Sequence, residues 1–140
     1  MVKEKVKQIK PQDAKLKDMK GREIEWLPYV AEQTYPSAQS YLSLLFSKER
    51  VDAIITSLRG AAVVRFQAKD IFRASRLSLL GVSNSHVEKD RKRILKGESL
   101  SPLLLVRDEA NGKVVIADGY HRLCAVYFFD EDAWIPCKII

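Results

Sequence analysis

Two apolar runs on either side of an Asn-Gly step constrain this 140-residue chain more than any other feature. Leu103-Leu104-Leu105-Val106-Arg107 and Lys113-Val114-Val115-Ile116-Ala117 are short and rich in branched side chains, as strands are. Asn111-Gly112 between them accepts the positive φ of a tight turn, so the spacing predicts an antiparallel hairpin. Asp118-Gly119 then breaks the second strand, and residues Tyr120 to about Phe129 read as a helix. A buried strand, a glycine and a helix thus follow one another without a linker.

The flanking sequence extends this into a domain over residues 61–140. Ala62 to Ala68 reads as a strand, followed by Lys69-Asp70-Ile71-Phe72 turning into a short helix or loop. Asn84 or Ser85 opens a further helix that runs to about Lys96 and stops at Gly97, with Ser85 and Glu88 at capping-box spacing. Trp134 to Ile140 reads as a closing strand. Upstream, Pro36-Ser37 open a helical stretch with Ala38, Tyr41, Leu42, Leu45 and Phe46 at helical spacing. Ser47 caps a second helix with Val51, Ile54, Ile55 and Leu58 on one face and Gly60 as its stop. Ile24, Trp26, Leu27, Tyr29 and Val30 form an apolar cluster that docks this segment onto the body, and these stripes are expected in the core. The expected architecture is α/β (α+β): a small mixed sheet flanked by helices, with a helical N-terminal layer over residues 23–60 and a basic leader over residues 1–22.

Composition narrows the function classes. A chain of this length buries a core without disulfides or a structural metal. No stretch approaches the roughly 20 apolar residues of a membrane span, and Met1 to Lys7 lacks the apolar segment of a secretory signal. Cys124 and Cys137 could form one disulfide, but buried free thiols in a reducing cytoplasm, the expected compartment, are the favoured reading. Two histidines in the whole chain make a transition-metal site improbable, and none is expected. Of the net charge of +6, +5 belongs to residues 1–22, with eight Lys/Arg against three acids. Such a leader is either a solvated tail or an arm for nucleic-acid phosphates.

The junction Asp118-Gly119-Tyr120-His121-Arg122 carries the chemistry. The first backbone N–H groups of a helix lack intrahelical partners and lie at the positive end of its dipole, where an anion is stabilised. Gly119 lets the backbone bend and approach a ligand. His121 and Arg122 in the first turn add donors and charge, and a guanidinium matches phosphate oxygens. Asp118 either caps the helix, accepts a substrate proton or holds a cation.

Residues 62–140 resemble the fold shared by ParB N-terminal domains, sulfiredoxins and archaeal free-serine kinases. The resemblance rests on a strand ending in Asp70-Ile71, a helix, the strand from Pro102 to Val106, a hairpin strand leading into Gly119-Tyr120-His121-Arg122, and Ile135-Pro136 in the last strand. At the turn, free-serine kinases read D-G-H-H-R, sulfiredoxins G-C-H-R and ParB proteins G-E-R-R. The resemblance implies that Gly119, Tyr120, His121 and Arg122 bind the phosphates of a nucleotide such as ATP, ADP or CTP, with or without Mg2+. It also implies further phosphate contacts from His86, Lys89 and Arg93, which share one helix face, and a site lining that includes Arg73, Ser75 and Arg76. Three departures matter. Tyr120 replaces the cysteine of sulfiredoxins, disfavouring their chemistry. Arg73-Ala74-Ser75-Arg76 offers no acid where the kinases are expected to have one. The chain runs to Ile140 without the helix-turn-helix of a chromosome-partitioning clamp.

The resulting expectation is nucleotide binding, with phosphotransfer or phosphohydrolysis in which Asp118 acts as base or Mg2+ contact. One alternative is a nucleic-acid-binding or ParB-like nuclease module using the basic leader. Another is a regulatory domain whose helical layer contacts a partner protein.

Overall fold

The computed structural model describes residues 23–81 and 83–140. Among the described residues, five α-helices and four strands follow one another as α1 (Thr34–Leu42), α2 (Lys48–Gly60), β1 (Val64–Gln67), α3 (Ala68–Ser75), α4 (Ser85–Leu95), β2 (Leu103–Asp108), β3 (Lys113–Asp118), α5 (Tyr120–Phe129) and β4 (Trp134–Ile139). The class is α+β, with one mixed sheet in the order β1-β4-β2-β3. β1 runs antiparallel to β4, β4 parallel to β2, and β2 antiparallel to β3.

Both faces of β2 and of the edge strand β3 are buried, which is why these two read as continuous apolar runs rather than alternating ones. Leu103, Leu105, Val114, Ile116, Ile135 and Cys137 join a core with Ala68 and Ile71 of α3, Val87 and Ile94 of α4, and Leu123, Val126 and Phe129 of α5. Leu104, Val106, Val115 and Ala117, offset by one residue, join Ala38 and Leu42 of α1 and Val51, Ile54, Ile55 and Leu58 of α2. The helical layer of residues 34–60 therefore shares a core with the sheet. Lys138 fastens it further, donating from Nζ to the Arg59 carbonyl at 2.9 Å and to the Tyr35 hydroxyl at 3.1 Å.

The segment before α1 lies along the approach to β2. Leu27 N–H donates to the Leu100 carbonyl, Leu100 N–H donates to the Glu25 carbonyl, and Ala31 N–H donates to Ser101 Oγ. These bonds fix residues 100–102, on which the site described below depends.

Several elements differ from expectation in instructive ways. α1 begins at Thr34 rather than Pro36. The strand read from Ala62 spans only Val64–Gln67, because Ala68 turns into α3 with its N–H donating to the Ala133 carbonyl. The hairpin closes through a 3-10 turn, Glu109–Asn111, and Gly112 at φ 61°, because Asp108 accepts hydrogen bonds from both the backbone and the side chain of Asn111. Asn84 rather than Ser85 caps α4, its Oδ1 accepting from the N–H groups of His86 and Val87. Tyr29, Tyr41 and Leu45, placed in the core by spacing, are exposed. Both cysteines are buried free thiols, and burial pushes the Cys137 thiol up to about 12. Among the described residues no helix is long and apolar enough to cross a membrane.

Sharing of the second core makes a prediction. Leu58 is fully buried between α1, α2 and the sheet. Leu58→Ala is expected to lower stability by roughly 2–5 kcal/mol in a single denaturation transition followed by both helical and aromatic signals. A separate early transition for the helical layer would contradict the shared core.

Candidate functional site

Gly119 determines how β3 becomes α5. Its φ of 112° lies in the left-handed region, and a Cβ there would sit 2.6 Å from Leu103 Cγ and 3.0 Å from Arg122 Nη2. Leu103 is fully buried, so neither backbone nor neighbour can yield cheaply. Gly119 is also the N-cap of α5, with no side chain to accept from the first turn. The backbone N–H groups of Tyr120, His121 and Arg122 therefore begin the helix without intrahelical acceptors, whereas Leu123 N–H is the first to close a turn, onto the Gly119 carbonyl at 2.9 Å. Asp118 does not cap this helix: its carboxylate turns to Arg122.

Arg122 is a brace. Nε donates to the Ser101 carbonyl at 3.0 Å, and Nη2 donates to the Pro102 carbonyl at 3.4 Å and to Asp118 Oδ2 at 2.9 Å. Both side chains of the pair are mostly buried. The guanidinium thus joins the approach to β2, the end of β3 and the first turn of α5. Nη1 makes no hydrogen bond among the described residues.

The neighbouring face belongs to α4. The His86 ring lies against that of His121, with centroids 4.8 Å apart and planes inclined by 40°. Tyr120 flanks His121 with ring centroids 5.7 Å apart, and its hydroxyl donates to the Ser78 carbonyl, anchoring the loop before α4. Burial lowers the His121 pKa, helped by His86 and Arg122 and opposed by Asp90 and Asp118.

Asp90 is the site residue that sequence reasoning missed. It lies on the same α4 face as His86, Lys89 and Arg93, with Arg93 Nη1 at 3.6 Å from its Oδ1. Burial raises its pKa, and Arg122, Arg93, His121 and Lys89 pull the other way. Its position, four residues after His86 and three before Arg93, already placed it on that face. Its depth is a tertiary property that helical spacing alone does not carry.

Of the residues expected at the site, His86, Asp118, Gly119, Tyr120, His121 and Arg122 come together where α4 meets the start of α5, and Lys89 and Arg93 lie on the α4 helix that carries His86. Arg73, Ser75 and Arg76 do not. Arg73 is exposed and pairs with Asp70. The Ser75 hydroxyl is used at the end of α3, donating to the Phe72 carbonyl and accepting from Leu77 N–H. Arg76 donates to the Gly112 carbonyl, which precedes β3, whereas the site lies beyond the opposite end of that strand. The chain leaves α3 through Arg76 in the left-handed region, φ 59°. The basic leader lies outside the described residues. A large groove of about 730 Å³ lined by Trp26, Leu27, Trp134 and Pro136 holds none of the expected site residues.

No protein-family model, curated protein or solved structure matches this chain.

Two outcomes test this geometry. Gly119→Ala is expected to cost at least about 2 kcal/mol in chemical denaturation, since strain and a clash with a core leucine add. For pH, the depressed His121 value means that the unfolded state binds the extra proton more readily. Its contribution is full above the ordinary value of 6.5 and is lost as pH falls through the lowered one. Stability in the absence of ligand should therefore decline below about 6.5, and decline less steeply in His121→Gln.

Proposed function

We propose that this chain binds a phosphate-bearing ligand, a nucleotide of the ATP, ADP or CTP kind, at the N-terminus of α5, and that its fold is of the ParB/sulfiredoxin-like type. The observation that carries the reading is the uncapped start of α5 behind Gly119, set against the His86–His121 pair. Three backbone donors of α5 lie beside the two imidazoles, and Lys89 and Arg93 sit on the helix that carries His86.

The roles divide by how firmly each group is held. The α5 N–H groups are preorganised by the helix and reward an anion without reordering. His121, whose pKa burial lowers, would gain affinity for a proton beside a bound dianion, and the His86 ring packs against it. Lys89 and Arg93 neutralise charge from the α4 side. Asp118 is committed to Arg122 and serves the site by holding that brace. Among the described residues no group of three His, Cys, Asp or Glu side chains could hold a metal, so Mg2+ would arrive with the nucleotide's own phosphates. A phosphotransfer or phosphohydrolase activity would draw on the same donors.

The test is a thermal-shift panel of ATP, ADP, CTP, GTP and short duplex DNA, each with and without Mg2+, on the native chain and on His121→Ala. Arg122 is unsuitable for the comparison because its removal also undoes the brace. A ligand at 100 times its Kd adds roughly 2.7 kcal/mol of stability. A nucleotide is expected to raise the native midpoint, with a clearly smaller rise in His121→Ala. A response to DNA alone, fading with salt, would replace this reading with a nucleic-acid one.

A further inference from the structure

β1 is an outer strand of the sheet, and its residues Val64–Gln67 are paired on one side only, with β4. Arg65 stands opposite Pro136. Pro136 has no N–H, so this pair cannot exchange backbone hydrogen bonds. The ladder runs instead through Val64 with Cys137 and Phe66 with Ile135, and the N–H and carbonyl of Arg65 point away from the sheet. Among the described residues neither group has a partner. A donor and an acceptor directed outwards from one strand residue fit one kind of occupant, the backbone of another extended segment.

The side chains along this edge define that occupant further. Val64 and Phe66, on one face, are 40% and 37% exposed and form an apolar shelf. Arg65, on the other face, lines the groove of about 730 Å³ together with Trp26, Trp134 and Pro136. A strand residue paired with Arg65 directs its side chain to the groove face beside the guanidinium, and its two neighbours lie over Val64 and Phe66. The Arg65 side chain makes no ion pair among the described residues. Glu23 and Asp130 also line the groove, so an acid is favoured by its register against Arg65 and not by the groove as a whole. We infer that β1 docks an extended segment of a partner protein in which an acidic residue opposite Arg65 is flanked by apolar ones. This docking edge is independent of the phosphate reading. A second copy of the chain is the poorer occupant, since symmetric pairing about Arg65 sets two guanidinium groups opposite each other. The leader of residues 1–22, with its balance of +5, meets the same repulsion. A strand this short offers few backbone bonds, so the side chains carry part of the recognition.

The experiment follows backbone amide exchange in the isotope-labelled full chain. The probes are the blocked peptide acetyl-Ser-Thr-Val-Glu-Val-Thr-Ser-amide and its counterpart with Lys in place of Glu. In the free chain the Arg65 amide is expected to exchange faster than those of Val64 and Phe66, which are bonded to β4. The Glu peptide at ten times its Kd is expected to slow Arg65 by about tenfold and to leave Val64 and Phe66 little changed. The Lys peptide is expected to bind more weakly by about threefold or more, and Arg65→Glu to reverse that order. An Arg65 amide that stays fast up to millimolar Glu peptide overturns the inference. So do equal affinities of the native chain for the two peptides, whether or not the variant folds, and so does an order that survives in a folded Arg65→Glu. An Arg65 amide already slow in the free chain overturns it as well. Protection that grows with protein concentration would make the occupant a second copy, and protection that does not would make it the chain itself.

Discussion

The Arg122 brace is the interaction on which the site depends. One guanidinium, by donating to the carbonyls of Ser101 and Pro102 and to Asp118, ties together three stretches that meet only in the folded chain. It can do so because Gly119 has no Cβ, which would otherwise stand 3.0 Å from Nη2 and 2.6 Å from Leu103 Cγ. Arg122 and Asp118 lie one helical turn apart across the start of α5, so the pair also braces the turn that leaves the α5 donors exposed. The residue that sequence logic would assign first to a ligand is thereby mainly an organiser. The remaining donors gain from this, because they are held in place before any ligand arrives.

The rest of the fold supplies a rigid frame for that brace. Residues 100–102 would be a free connection were they not paired to the segment ahead of α1 through Leu27, Glu25 and Ala31. That segment is followed by α1 and α2, which cover the sheet face opposite α5. The helical layer therefore reaches the site through the chain that precedes it, as well as through the shared core. Pro136 shows a similar economy. An inner strand is a poor place for a residue without an N–H, but the parallel ladder to β2 begins only at Cys137, so on that side no ladder bond is forfeited.

Local patterns carried most of this architecture into the sequence. The boundaries of α5 and the Ser47 cap of α2 follow from turn and capping chemistry alone, as does the stop of α4 at Gly97. The doubly buried runs of β2 and β3 follow from their composition. What was not legible depends on contacts between distant residues. Ala68 leaves its strand because Ala133 offers an acceptor, and Tyr41 and Leu45 match the helical period while facing solvent. At the site, helical spacing put His86, Lys89 and Arg93 on one face, and the strand–glycine–helix step located the uncapped start of α5. Neither feature could reveal that Arg76 would lie at the far end of β3, or that Asp90 would be buried where α4 meets α5.

The charge balance of the cluster is close to even. Arg122 is matched by Asp118 and Arg93 by Asp90, which leaves Lys89 and the two imidazoles as the unbalanced groups. Burial opposes a proton on the His121 ring, with His86 and Arg122 adding to the effect and Asp90 and Asp118 working against it. On the reading proposed above, an anion at the start of α5 would add to the pull of the two carboxylates, so that ligand binding and proton uptake by His121 would favour each other.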